Sequence, residues 1–136
     1  MSEGSNNRDQ WLLSGIRDRD GTLAGTMLLD IQNQPDPKMT WRVYLTFRYL
    51  NRPLPSPEEW DHFAEVDGRI QELCRECDGR NVAVWTANGI RDWIVYLVDP
   101  ELFVNRARSL FKGADVKADP DPSWTQYKTL RDMTQS

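Results

Sequence analysis

Between Trp41 and Tyr49 the chain alternates residue by residue, with Trp41, Val43, Leu45, Phe47 and Tyr49 on one side and Arg42, Tyr44, Thr46 and Arg48 on the other. A period of two predicts a strand with one buried face. Upstream, apolar-rich runs from Gln10 to Ile16 and from Thr22 to Ile31 flank Asp20-Gly21, a dipeptide suited to the positive φ of a tight hairpin turn. They predict an N-terminal β-hairpin, separated from the alternating strand by a loop with Pro35 and Pro37.

The period then changes. Trp60, Phe63, Val66, Ile70, Leu73, Cys74 and Cys77 recur at intervals of three and four, which places them on one stripe of a helix facing a sheet. Ser56-Pro57-Glu58-Glu59 supplies its start, with Ser56 as cap, Pro57 in the first turn and Glu59 completing a capping box, and Gly79 ends it. Asn81 to Ala87 and Ile90 to Val98 return to strand character around Asn88-Gly89, the strongest hairpin signal in the chain. A two-residue turn there sets Ala87 opposite Ile90 and Val84 opposite Trp93. Asp99-Pro100 opens a second helix with Leu102, Phe103, Ala107, Leu110 and Phe111 on one face and Gly113 closing it. A short strand from Asp115 to Ala118 follows, and Asp121-Pro122 starts one final helical turn carrying Trp124 and Tyr127.

The order ββ followed by βαββαβ predicts an α+β fold. Its second part has the connectivity of a ferredoxin-like sandwich, mostly antiparallel, with two helices on one face and the hairpin as an extension. One domain runs from about Asn7 to Met133, with residues 1–6 and 134–136 as disordered ends. A chain of 136 residues is long enough to bury about 70% of its unfolded surface.

The last hairpin has two apolar faces. Val82, Val84, Trp93, Val95 and Leu97 share one, and Ala83, Trp85, Ala87, Ile90, Ile94, Tyr96 and Val98 share the other. Two helices cover one face of such a sheet, so the face marked by Trp85, Ile94 and Tyr96 needs another cover. The chain's own tail, through Trp124 and Tyr127, is one candidate; a second copy in a homodimer and a partner protein are the others.

Composition narrows the chemistry. A net charge of -4 argues against nucleic acid and anionic lipid as partners. Met1 to Gln10 is polar without the apolar segment of a signal peptide, and no run is long enough to span a membrane, so a cytoplasmic location is expected. Cys74 and Cys77 have the spacing of a zinc or redox pair but also continue the helical stripe, which favours burial. His62, the only histidine, sits among Trp60, Asp61, Glu65 and Asp67 and reads as an exposed structural residue rather than a catalytic base. Asp18 with Asp20, and Asp119 with Asp121, are conceivable acid pairs or Mg²⁺ ligands, but each lies in a turn that Asp favours for local hydrogen bonding. No phosphate-cradling glycine loop is present. No cofactor and no metal are expected. Glu58, Glu59 and Asp61 complement a helix dipole, whereas Glu65 and Asp67 lie past its reach, so Glu58, Asp61 and Glu65 mark an acidic docking face for a basic partner. Arg106, Arg108 and Lys112 near the end of the second helix read as dipole compensation and solubility.

The run Thr86-Ala87-Asn88-Gly89-Ile90-Arg91-Asp92-Trp93 with Val95-Tyr96, then Asp99-Pro100, then Asp121-Pro122-Ser123-Trp124 with Tyr127, resembles the bacterial domain-of-unknown-function family 695. Leu54-Pro55-Ser56-Pro57-Glu58-Glu59 is similar to that family's helix entry. The family carries no assigned activity. It is distantly similar to the regulator of ribonuclease activity B, a small acidic protein that binds and restrains a ribonuclease. The resemblance therefore implies a non-enzymatic, protein-binding regulator, such as an inhibitor or immunity-type partner of a basic nuclease or toxin. Two other classes compete. Aromatics on an open sheet with Arg42, Arg48 and Arg91 nearby suit single-stranded RNA, which requires a local basic patch; a metal-dependent hydrolase requires a metal or His62.

Overall fold

The computed structural model describes residues 11–32, 34–50 and 53–135. Six strands form one antiparallel sheet: β1 (Leu12–Arg17), β2 (Leu23–Leu29), β3 (Trp41–Arg48), β4 (Arg80–Ala87), β5 (Ile90–Leu97) and β6 (Asp115–Pro120), in the spatial order β1-β2-β4-β5-β3-β6. Among the described residues three helices complete an α+β fold: α1 (Pro57–Cys77), α2 (Pro100–Leu110) and α3 (Thr125–Gln135). The β3–α1–β4 connection passes over β5, and the β5–α2–β6 connection passes over β3, so the two crossovers interleave. Residues 1–10 and 136 lie outside the described residues, and with them the start of the expected first strand and most of the expected disordered ends. α3 runs to Gln135, past the expected domain end. No helix among the described residues is long and apolar enough to cross a membrane.

Local chemistry accounts for most element boundaries. Ser56 accepts from the Glu59 amide while the Glu59 side chain accepts from the Ser56 amide, a complete capping box at the start of α1. Asn88 and Gly89 both have positive φ, 54° and 85°, and Ala87 faces Ile90 and Val84 faces Trp93 as the turn requires. Asp18 Oδ1 accepts from the Asp20 and Thr22 amides and so shapes the first hairpin turn. At the end of α1 the left-handed residue is Asp78 rather than the expected Gly79, with φ 55°. Gly79 instead packs under β5, where an added Cβ would sit 3.1 Å from Val95.

α1 and α2 cover one face of the sheet. Phe63, Val66, Ile70, Leu73 and Cys74 of α1 and Phe103, Val104 and Ala107 of α2 meet Val43, Leu45, Phe47, Val84, Trp93, Val95 and Leu97. Leu102 and Leu110, expected on the buried face of α2, are exposed, and Val104 takes their place. Trp93 is fully buried, and its indole N–H donates to Asp67 at 3.0 Å. Asp67 thus serves the core instead of a docking face.

The opposite face holds a second core built by the tail. Val82 belongs here and not with Val84, because a bulge between Asn81 and Ala83 shifts the β4 register. The Asn81 side-chain amide donates to the carbonyls of Ala83 and Ile94 at 3.1 and 3.0 Å, satisfying backbone that the bulge leaves unpaired. The expected final turn is an eleven-residue helix. Trp124 precedes it with φ 56°, stacks on Tyr96 at 4.1 Å between ring centroids, and donates from its indole to the Met39 carbonyl at 2.8 Å. The Tyr127 hydroxyl donates to the Asp30 carbonyl at 2.6 Å, and Leu130 joins the same core as Met27 and Leu29. The tail is therefore the cover that this face needs.

Candidate functional site

Cross-strand register lays out the tail-side face in rows. Trp85, Asp92, Thr46 and Asp115 form one row across β4, β5, β3 and β6; Ala83, Ile94, Tyr44 and Lys117 form the next; Tyr96, Arg42 and Asp119 form a third on β5, β3 and β6. Asp121 and Trp124, just before α3, take up the third row, and Tyr127 of α3 reaches the Asp30 carbonyl just past the end of β2. Between α3 and the β6 edge a cleft of about 970 Å³ remains, floored by Trp85, Ile94, Tyr44, Thr46 and Asp92 and walled by Gln126, Thr129, Leu130 and Met133. Arg48, Arg108, Asp115 and Lys117 stand at its outer side.

The third row is locked. Asp121 Oδ2 accepts from the Tyr96 hydroxyl at 2.6 Å and from the Gln126 amide at 3.1 Å, Oδ1 accepts from the Thr125 amide at 2.9 Å, and Arg42 lies 3.6 Å away. Burial opposes ionisation of Asp121, but the hydrogen bonds from Tyr96, Gln126 and Thr125 and the charge of Arg42 outweigh it and hold the carboxyl below the usual carboxylate range. Burial, reinforced by the bond to Asp121, pushes the Tyr96 hydroxyl far above the ordinary phenol range. Arg42 also pairs with Asp119 at 3.6 Å and lies 4.7 Å from the Tyr44 ring centroid. Of the Asp119/Asp121 pair, Asp121 holds the tail, whereas Asp119 lies in strand β6 rather than in the expected turn and pairs with Arg42 across to β3.

The cleft itself is mixed in character. Thr46 Oγ1 donates to Asp92 Oδ1, yet desolvation dominates and raises the Asp92 carboxyl above its ordinary range. Arg48 and Asp115 form an exposed pair at 3.6 Å. The Arg108 guanidinium reaches round the sheet edge to the Val116 carbonyl at 3.1 Å, which blocks strand addition at that point and brings its charge beside Lys117. Three cations face two carboxylates, the reverse of the balance in the whole chain.

The expected site residues separate. Trp85 is half-buried and Ile94 buried on the cleft floor, whereas Tyr96 is 0% exposed beneath Trp124 and cannot touch a partner while the tail is docked. Glu58, Asp61 and Glu65 are exposed on α1, across the sheet from the cleft. Of the expected basic residues only Arg48 reaches the cleft. Arg91 lies under α1, 4.8 Å from the Trp93 ring, 5.2 Å from Trp60 and 5.6 Å from Phe63, and donates to Thr86 at 2.6 Å. Arg108, read as dipole compensation, belongs to the cleft instead. Tyr44 and Thr46 were signalled by the β3 alternation, which puts them opposite Val43 and Leu45; Arg108 and Met133 had no sequence signal, since only the fold brings α2 and α3 to this edge.

His62 is exposed and meets Phe47 edge-on with ring centroids 5.7 Å apart. Cys74 is buried and Cys77 half-buried, neither is in a disulfide, and burial pushes the Cys77 thiol up. Among the described residues no group of three His, Cys, Asp or Glu side chains gathers as metal ligands do. Searches of curated proteins and of solved structures return no match. The model of the family of unknown function DUF695 matches residues 20–130, and the chain belongs to that family.

Proposed function

We propose that this protein is a non-enzymatic protein-binding module, a regulator of the inhibitor or immunity type acting in the cytoplasm, and that the cleft beside α3 is its contact surface. One observation carries the reading: after the tail has covered its half of the sheet, Trp85 remains half-buried at the floor of a large cleft, with Ile94 and Tyr44 beside it. A half-buried Trp at the floor of a cleft is the residue type and place that dominate binding energy at protein interfaces. Asp18 shapes a turn and Asp121 ties down the tail, structural work that supports a non-enzymatic reading. The net charge of -4 favours encounter with a protein that is basic overall, such as a nuclease or toxin, whereas the segment that enters the cleft is selected by the cleft's own local charges. The similarity to the regulator of ribonuclease activity B is part of this proposal, by analogy.

The test is a comparative pull-down from native lysate using the full chain and its Trp85→Ala variant. A stoichiometric protein retained by the first and lost from the second, with the variant's circular dichroism unchanged, supports the reading. A protein retained equally by both moves the contact surface to the acidic face of α1, where Glu58, Asp61 and Glu65 are exposed, and Glu65→Lys then tests that face. A second reading has its own observation. Aromatic side chains with Arg48, Arg108 and Lys117 in one cleft supply the local basic patch that a single-stranded RNA binder needs, and recovery of RNA instead of protein selects it.

A further inference from the structure

We infer that the cleft recognises an extended segment of a partner protein in which a carboxylate stands beside a bulky apolar side chain. The inference rests on the protein-binding reading above and names the chemistry of the partner. α3 turns the sheet face into a trench by walling one side, and its volume of about 970 Å³ lies at the upper end for sites that enclose a ligand, about 300–1,000 Å³. The inner part of the trench, Trp85, Ile94 and Met133, is apolar and includes the flexible thioether that adapts to varied shapes. It takes the bulky side chain.

The outer part is cationic. Arg48 is offset by Asp115, but Lys117 is exposed and has no ion-pair partner among the described residues, and the Arg108 guanidinium is held next to it by the Val116 carbonyl. A carboxylate entering there meets two cations lining the same cleft, one of them oriented by its hydrogen bond to the Val116 carbonyl. On the wall, Gln126 and Thr129 offer side-chain hydrogen bonds to a peptide backbone. Single-stranded RNA fits less well: successive phosphates laid along the trench would pass Asp92 and Asp115, and the protein's field repels a polyanion as a whole. A short peptide with one or two acidic residues escapes most of that repulsion, because charges beyond about 8 Å are screened at physiological salt.

The probe is a phage-displayed library of random peptides selected on the full chain, followed by affinity measurement of the enriched peptides on the wild type, Lys117→Glu and Trp85→Phe. The expected result is enrichment of Asp or Glu next to Phe, Leu, Ile or Trp, with binding weakened about tenfold by Lys117→Glu and measurably by Trp85→Phe. Lys117 is exposed, so an unchanged melting temperature in that variant shows that the loss is one of binding. Enriched peptides without acidic residues, or affinity unaffected by Lys117→Glu, overturn the inference while leaving the protein-binding reading intact if the lysate partner still depends on Trp85. No enrichment, together with Trp85-dependent binding of fluorescent oligouridine, overturns both in favour of RNA. No binding of either probe overturns the inference.

Discussion

Asp121→Ala removes the carboxylate that ties the tail to the sheet, and its cost can be worked from the contacts. The Tyr96 hydroxyl, fully buried, loses its acceptor, and a buried donor left unsatisfied costs about 1–3 kcal/mol. The Thr125 and Gln126 amides lose the group that serves them at the start of α3, comparable to loss of a helix cap, about 1 kcal/mol. Arg42 keeps Asp119 and is not stranded. The sum is about 3 kcal/mol, or about 10 °C in melting temperature for a domain of this size. The effect is pH-dependent with a definite sign. The carboxyl is held below its unfolded value, so its stabilisation is fully present above about pH 4 and is lost as pH falls through the lower folded value. Chemical denaturation of wild type and variant should therefore show a gap that is constant near neutrality and narrows below about pH 4. A gap under about 0.5 kcal/mol at pH 7, or one that persists undiminished in acid, would refute this account of the tail's attachment.

Three further outcomes follow from the packing. Gly25→Ala places a Cβ 2.4 Å from the Thr86 carbonyl oxygen and 2.6 Å from the Ala87 Cβ, so it should loosen the β1–β2 hairpin from β4 and cost about 1–3 kcal/mol by calorimetry; an unchanged melting temperature defeats the close-approach argument. Cys74→Ser with Cys77→Ser should destabilise through lost apolar packing, mostly at the buried Cys74, and leave partner binding intact because α1 lies across the sheet from the cleft. Unchanged stability with lost binding would point to redox or metal chemistry instead. Truncation after Asp119 removes Trp124, Tyr127 and Leu130 from the second core, which at about 1.5–3 kcal/mol each approaches the stability of an ordinary domain. The truncated chain should unfold or self-associate in light scattering, and a stable monomer would show that the tail is dispensable.

What the sequence made legible was local and periodic. The β3 alternation, the α1 stripe and the Asn88-Gly89 turn each follow from interactions within a few residues, and each is present with its expected register. The misses have physical causes too. The β4 bulge moves Val82 to the other face, and its cost is met by Asn81, whose partners Ala83 and Ile94 lie on two strands. On α2, Leu102 and Leu110 satisfied the apolar spacing, but the helix buries the face of Phe103, Val104 and Ala107, and both leucines lie off it.

The third helix and the cleft belong to one cause. α3 has low intrinsic apolar content, with Tyr127 and Leu130 as its buried contacts, so its pattern alone predicts no more than a turn. Its length is stabilised from outside, by the Trp124–Tyr96 stack and the Asp121 hub, and both join residues at least twenty-five positions apart in sequence. Because the tail is anchored over Tyr96 and at the first turn of α3, the rows that carry Trp85 and Ile94 are left as the floor of the cleft. Trp85 and Ile94 were legible as members of an apolar face in search of a cover; that Tyr96 would be consumed by the cover while Trp85 stayed available depends on where one anchored helix comes to rest, which no spacing along the chain encodes.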